Sequence, residues 1–309
     1  MIDVVLLGTA ALMPLPERAL TAAVWTVKGR SLLVDCGEGT QTALRRFGVS
    51  PLRVDIIALT HYHGDHIFGL PGLLQTMGVQ DRTAPLYIAG PGDVEAALAP
   101  VLQLAEKQPF EIRFLHLPQA GISPAELLPG WPTEVRLQAF PTCHRVISQG
   151  YILTLARGRK FLPERARALG VPAQLFSLLQ RGEPVRLGDC EVSPDEVLGP
   201  ARRGLKVVMS GDTAACPELE AAARGADLLI SEATYAEDEQ AEMAREYGHM
   251  NFLQAAALAR RAEVRRLWLT HYSQMVEAPE AHLDRVRAIC PIAECGYDGL
   301  RTTLRFVEE

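Results

Sequence analysis

The sequence predicts an α/β fold in which two halves close on one cleft. Three observations lead to this reading. The chain opens with short apolar runs separated by turn residues, as a β-meander does. Beyond residue 50, strand-like and helix-like segments alternate. Several of the strands end next to Asp, Glu or His, which puts polar groups at one edge of the sheets. With 309 residues, 48% of them hydrophobic, the chain can bury a large core. No apolar run approaches the roughly eighteen residues of a membrane span.

Val4 to Leu7, Ala22 to Val27 and Ser31 to Val34 read as strands, with Gly29-Arg30 as a turn. Gly37-Glu38-Gly39-Thr40 leads into a helix from Gln41 to Phe47, for which Thr40 is the expected N-cap. Val54 to Thr60 reads as a buried strand that runs into His61-Tyr62-His63-Gly64-Asp65-His66. Further strands are expected near Leu86 to Ala89, Ile112 to Leu117, Glu134 to Phe140, Lys206 to Ser210, Leu228 to Ser231 and Leu267 to Thr270. Helices are expected at about Asp93 to Leu104, Pro217 to Arg224, Ala236 to Tyr247 and Asn251 to Arg261. Gly90-Pro91-Gly92-Asp93 lacks the Lys-Ser/Thr of a phosphate loop and reads as a turn with a helix cap. The expectation is one domain over 1–309, with halves of about 1–150 and 187–309.

Net charge is −6, the wrong overall sign for gripping nucleic acid. The charge is unevenly spread. Residues 151–186 hold seven Arg or Lys against Glu164 and Glu183, so this segment is net positive by five. It lies between strands that flank candidate metal ligands, which makes a phosphate-binding arm an alternative to a solvated surface excursion. The six cysteines form no CxxC pair and read as free thiols. The first residues read directly as a strand and lack the basic start and cleavage site of a signal peptide, so a cytoplasmic location is expected.

Three of the eight histidines, His61, His63 and His66, fall within six residues, with Asp65 among them. Imidazole and carboxylate together suit zinc, manganese or iron better than calcium or magnesium. Without a cation, such a cluster would repel or protonate itself. His144, Asp212 and His271 follow later strands and bring the donors to seven. That number gives two cations three unshared ligands each, one bridging carboxylate, and open positions for water and substrate. His116 and His282 stand without a cluster and receive no role.

These motifs resemble the metallo-β-lactamase superfamily, and within it the ribonuclease Z family of tRNA 3′-end endonucleases. The resemblance rests on Leu7-Gly8-Thr9, Asp35-Cys36-Gly37-Glu38-Gly39-Thr40-Gln41, Thr60 to Leu74 with Gly69-Leu70-Pro71-Gly72-Leu73-Leu74, Gly211-Asp212-Thr213, Glu232-Ala233-Thr234 and Leu269-Thr270-His271-Tyr272-Ser273. It implies an αββα sandwich of two mixed β-sheets flanked by helices, with a protruding basic arm. It also implies two divalent ions per chain, with zinc the first choice and Mn2+ or Fe2+ as alternatives. His61, His63 and His144 would hold one ion, Asp65, His66 and His271 the other, and Asp212 would bridge. Asp65 would orient the attacking water, while Glu232 and His249 would pass a proton to the leaving 3′ oxygen. The substrate implied is precursor tRNA, gripped by arm residues such as Arg157, Arg159, Lys160, Arg165, Arg167 and Arg181, in a homodimer.

The chain departs from the family pattern in places. It has Gly8-Thr9-Ala10-Ala11-Leu12 for Gly-Thr-Gly-Ala-Gly, Arg18-Ala19 for Arg-Asn, Ser231 before Glu232 where the family has His, and His249-Met250-Asn251 for His-Ser-Thr. The Arg expected shortly after Ser273 is absent at Gln274 and Met275. None of these removes a candidate ligand; they fall on substrate-side positions. The arm segment Gly170 to Phe176 keeps one proline but lacks the Gly-Pro pair. The alternatives are a phosphodiesterase for small or cyclic nucleotides, which needs no arm, and a weakly active RNA-binding paralogue. The apolar Gly69 to Leu74 turn can serve a dimer interface or the core.

Overall fold

A computed structural model describes residues 1–307; the last two residues of the second half expected from the sequence lie outside the described residues. Two compact units result, one made of 1–155 with 205–307 and the other of 156–204.

In chain order the strands are β1 (Ile2–Gly8), β2 (Ala22–Val27), β3 (Arg30–Val34), β4 (Val54–Ala58), β5 (Leu86–Ala89), β6 (Ile112–Leu115), β7 (Val135–Pro141) and β8 (Gln149–Arg157). They continue as β9 (Val185–Leu187), β10 (Cys190–Val192), β11 (Arg202–Met209), β12 (Leu228–Glu232), β13 (Leu267–Thr270), β14 (Ala293–Cys295) and β15 (Arg301–Leu304). In the larger unit one sheet runs β15-β1-β2-β3-β4-β5-β6 and the other β14-β13-β12-β11-β8-β7. The first is antiparallel from β15 to β3 and parallel from β3 to β6. The second is parallel from β11 to β14, with β7 and β8 antiparallel. Both sheets are therefore mixed.

Side-chain alternation sorts the core into layers. Ile2, Val4, Leu6, Trp25, Leu32, Val34, Ile56 and Ala58 face Leu137, Tyr151, Leu153, Val207, Met209, Ile230 and Trp268 between the sheets. The opposite face of the first sheet, including Leu33, Ile57 and Leu59, packs on the helices Thr40–Arg46, Leu70–Val79 and Val94–Leu102. The opposite face of the second sheet, including Val208, Leu229 and Leu269, packs on Pro217–Ala223, Phe252–Arg261 and Leu283–Ile289. The result is an αββα sandwich, in which each buried Leu, Ile or Val contributes about 1.5–3 kcal/mol. Tyr151 ties the sheets together where the site begins: its hydroxyl donates to Leu59 O at 2.7 Å, and Gln149 N donates to Thr60 O at 2.9 Å.

Local boundaries differ from the expectations where backbone geometry overrides residue preference. Gly39, at φ 90°, is the cap of the first helix, and Thr40 is its first helical residue, its hydroxyl turned back to Gly37 O at 2.7 Å. The segment expected as a helix from Ala236 is a 3-10 turn at Asp238–Gln240 followed by a helix over Ala241–Tyr247. Asp93 caps its helix as expected, accepting from Ala96 N at 3.0 Å. Leu70, Leu73 and Leu74 are fully buried, so the apolar residues of the Gly69 to Leu74 turn serve the core. All six cysteines are free.

The smaller unit has its own core of Ala166, Val171, Leu179, Val185, Val192 and Val197. It contains short helices at Pro163–Ala168, Phe176–Gln180 and Pro194–Val197 and the β9/β10 hairpin. It starts at Ala156 and ends at Gly204, beyond the 151–186 suggested by charge. Asp189, Glu191, Asp195 and Glu196 sit in its second part, so charge alone does not mark its end; the whole unit has nine basic and six acidic residues. Val171, expected near an altered tip, is buried in this core.

Candidate metal centre

The strand ends of the larger unit deliver the candidate residues. His61, His63, Asp65 and His66 follow β4, His144 follows β7, Asp212 follows β11, Glu232 ends β12 and His271 follows β13. Two tight corners aim the later ones. Gly211 has φ 61°, and a Cβ there would lie 2.8 Å from the Thr60 Cβ, so only glycine lets the Asp212 loop approach the His61 loop. His271 itself has φ 61°, a left-handed conformation that costs a non-glycine residue on the order of 1–3 kcal/mol and is kept where surrounding packing enforces it.

Two donor groups form. Ligand atoms of His61, His63, His144 and Asp212 lie within 4.8 Å of one another, as do those of Asp65, His66 and His271. Asp212 reaches both: Oδ2 is 3.7 Å from His61 Nε2, while Oδ1 is 3.1 Å from His271 Nε2 and 3.4 Å from His66 Nε2. Asp65 Oδ2 lies 3.6 Å from His66 Nε2 and 3.5 Å from His271 Nε2, and accepts from Leu12 N at 2.8 Å. The structure thus brings together all seven residues singled out from the sequence.

The outer faces of the imidazoles are held by partners that sequence reading missed. His66 Nδ1 is 2.9 Å from Asp35 Oδ2. The Thr60 hydroxyl donates to Asp35 Oδ2 at 2.9 Å and lies 3.1 Å from His61 Nδ1. His144 Nδ1 is 2.9 Å from Gly248 O, and His271 Nδ1 is 3.0 Å from the Thr234 hydroxyl, which itself donates to Glu232 Oε2 at 2.7 Å. Each hold turns Nε2 toward the cluster, the nitrogen a ligand would use. Gly248 must be glycine here, since at φ 72° a Cβ would lie 3.0 Å from His144 Nδ1. An ionisable residue straight after a buried strand, Asp35 after β3, was the available signal for the first of these partners.

Electrostatics divide the ring systems. Burial pushes His61 down to about 2 and lowers His63 and His144. Burial opposes charge on His66 as well, but Asp212 and Asp35 overcome it and raise that imidazole. Burial likewise works against ionising Asp212, yet His271, His66 and His61 hold it well below the usual carboxylate range. Asp65 is also held low, by the imidazoles of His271 and His66 against the effect of burial. Asp212 Oδ1 is a buried oxygen that has no hydrogen-bond partner, despite its charge. An orphaned anionic oxygen among converging imidazole nitrogens, with nitrogen and oxygen as the only donors, fits divalent cations.

Beside the centre, His249 Nδ1 is 2.8 Å from Glu232 Oε1, and its ring stacks on His271 at 5.6 Å between centroids. Glu232 is saturated: Oε1 also accepts from Thr213 N at 2.8 Å, and Oε2 accepts from Thr234 N and Met250 N at 3.2 and 3.1 Å. Burial disfavours the imidazolium, but Glu232 raises His249 to about 9. The departures at Ser231 and Met250 sit beside Glu232 without breaking this arrangement. Ser231 is buried and bonded to Glu232 O, Met250 is buried and presents only its amide, and Met275 is exposed. Arg18, which precedes the departure at Ala19, is nine-tenths buried and donates to Glu277 O at 2.6 Å.

In the smaller unit the candidate RNA-binding residues divide. Arg159 donates to Gly199 O at 2.6 Å and Leu198 O at 3.1 Å and pairs with Asp195, so it braces that unit. Arg167 pairs with Glu164 and Arg181 with Glu183 on exposed surface. Among the described residues Lys160 and Arg165 are exposed and make no ion pair; Arg157 is half-buried.

Residues 19–142 match the model of the metallo-β-lactamase superfamily, and residues 177–272 that of the β-lactamase superfamily domain. Among solved structures, human tRNase Z, short form, superposes with a TM-score of 0.67 at 26% identity, covering 98% of this chain and 100% of that one. The metallo-β-lactamase fold protein YhfI from Bacillus subtilis shares the fold, with a TM-score of 0.69 at 19% identity over 97% of this chain and 98% of that one. No helix among the described residues is long and apolar enough to cross a membrane. Ribonuclease Z of Lachnoclostridium phytofermentans is 42% identical over 99% of both chains, and that of Methanothermobacter thermautotrophicus is 37% identical over 96% of this chain and 95% of its own. With its donor groups intact and relatives of this similarity along its whole length, the chain belongs to the ribonuclease Z family of the metallo-β-lactamase superfamily.

Proposed function

We propose that this chain is the endoribonuclease that removes the 3′ trailer of precursor tRNA, leaving a 3′ hydroxyl on the tRNA. The observation that carries the reading is the pair of donor groups sharing Asp212, in a chain that aligns end to end with ribonucleases Z. His61, His63 and His144 would hold one divalent cation, Asp65, His66 and His271 a second, with Asp212 between them. Zinc suits these nitrogen-rich sets, with manganese or iron(II) of similar preference. When bound, the two cations supply Lewis acidity toward water and toward the phosphoryl oxygens.

The chain's own residues supply the proton chemistry. Asp65, held ionised, accepts the proton of the attacking water. Glu232 fixes His249 through Nδ1, which leaves Nε2 to protonate the departing 3′ oxygen. Phosphate contacts fall to Arg157, Lys160, Arg165, Arg167 and Arg181 of the basic unit, in a homodimer whose basic unit grips the tRNA cut by the other subunit. The proposed place of this work is the cytoplasm. The test is cleavage of a defined precursor tRNA with zinc and with manganese, mapping both ends. The expected cut falls just after the discriminator nucleotide. Hydrolysis of bis(p-nitrophenyl) phosphate without any cleavage of precursor tRNA would overturn the reading.

A further inference from the structure

We infer that Cys143, Cys216 and Glu218 form a separate site for one thiophilic divalent cation, zinc or cadmium in chemical class. Their ligand atoms, two thiol sulfurs and one carboxylate oxygen, lie within 4.8 Å of one another. Around a cation with sulfur ligands at about 2.3 Å and an oxygen at roughly 2.0–2.2 Å, tetrahedral coordination needs ligand separations below that limit, so small side-chain rotations close the site. The sulfurs are set by backbone: Cys143 N donates to the Thr213 hydroxyl at 3.0 Å, Ala214 N donates to Cys143 O at 2.9 Å, and Cys216 Sγ lies 3.8 Å from the same hydroxyl. Cys143 and Glu218 are exposed while Cys216 is buried, so a cation enters from solvent and keeps room for a water as fourth ligand.

Binding replaces two thiol protons by one dication. Two protons are released, no electrons move, and the carboxylate brings the site to net −1. The site is distinct from the centre described above, because no cysteine belongs to either of that centre's donor groups. It is nevertheless coupled to it by chain connectivity. Cys143 immediately precedes His144, and Cys216 lies four residues after Asp212, so one cation here clamps the two loops that carry those residues.

Sulfur makes the test specific. The reduced, zinc-loaded protein is titrated with cadmium while thiolate-to-cadmium charge-transfer absorption is followed in the ultraviolet. The nitrogen and oxygen donors of the main centre give no such band. The expected result is a band that saturates at one equivalent per chain, is lost in both Cys143→Ser and Cys216→Ser, weakens in Glu218→Gln and persists in Cys190→Ser. Cys143 is exposed, so its serine variant tests the site without disturbing the core. No band in the wild-type protein, a band retained in Cys143→Ser, or loss of the two thiols only as a disulfide would each overturn the proposal. The result is independent of whether the protein cleaves tRNA.

Discussion

Asp35 Oδ2 lies 2.9 Å from His66 Nδ1, so a carboxylate at the end of β3 orients an imidazole delivered by the loop after β4. Both side chains are fully buried. The adjacency follows from the parallel pairing of β3 with β4, which sets Val34 beside Ala58 and therefore Asp35 beside the start of the histidine loop. Asp35 acts through His66, fixing the ring of a candidate ligand.

Replacing Asp35 with Asn should therefore weaken cation binding while leaving the fold intact. Loss of such a supporting carboxylate typically lowers metal affinity by about 10–100-fold. Competition with a chromophoric chelator measures this, and affinity within twofold of wild type would rule out the orienting role.

Asp212 and His63 should separate by stoichiometry. Asp212→Ala removes the one carboxylate that reaches both donor groups, so both cations should be lost, whereas His63→Ala should lower the content toward one per chain. Elemental analysis after gel filtration reads the difference. His63→Ala should also abolish turnover with tRNA affinity largely unchanged; undiminished turnover would refute its place among the ligands.

Glu232→Gln should leave the cations in place and move the alkaline limb of kcat. The native carboxylate favours imidazolium at His249, raising it to about 9, so a neutral amide must let that value fall. The limb then shifts to lower pH, and kcat drops by roughly 10²–10⁴-fold where proton donation limits the rate. A pH profile that keeps its alkaline limb would remove His249 from the acid role.

Arginines of the basic unit should respond in two distinct ways. Arg159→Ala breaks hydrogen bonds to Gly199 O and Leu198 O, so limited proteolysis should open residues 156–204 faster than in wild type. Lys160→Glu and Arg165→Glu should leave proteolysis unchanged and weaken tRNA binding, with the salt slope reduced by about 0.7–0.9 for each phosphate no longer neutralised. Deleting 156–204 should abolish precursor tRNA cleavage while bis(p-nitrophenyl) phosphate hydrolysis continues. An unaltered salt slope in the charge reversals would place RNA binding elsewhere on the chain.

The sequence by itself determined those strands whose burial is carried in composition, such as Val54 to Ala58 and Leu267 to Thr270, but not β8, β9, β10, β14 and β15, which the sequence reading did not expect. It also pointed to the seven candidate donors that the fold brings together, because six residues hold four of them and the other three each follow a strand. Tertiary structure alone decided what surrounds those donors. Asp35, Thr60, Thr234 and the Gly248 carbonyl are ordinary residues until strand pairing and loop approach bring them within hydrogen-bond range of an imidazole. It decided as well that Arg159 braces its own unit, because the partners Leu198 and Gly199 lie about forty residues away in the chain. Local preference is written in neighbouring residues, but a hydrogen bond between distant ones exists only after the fold has closed.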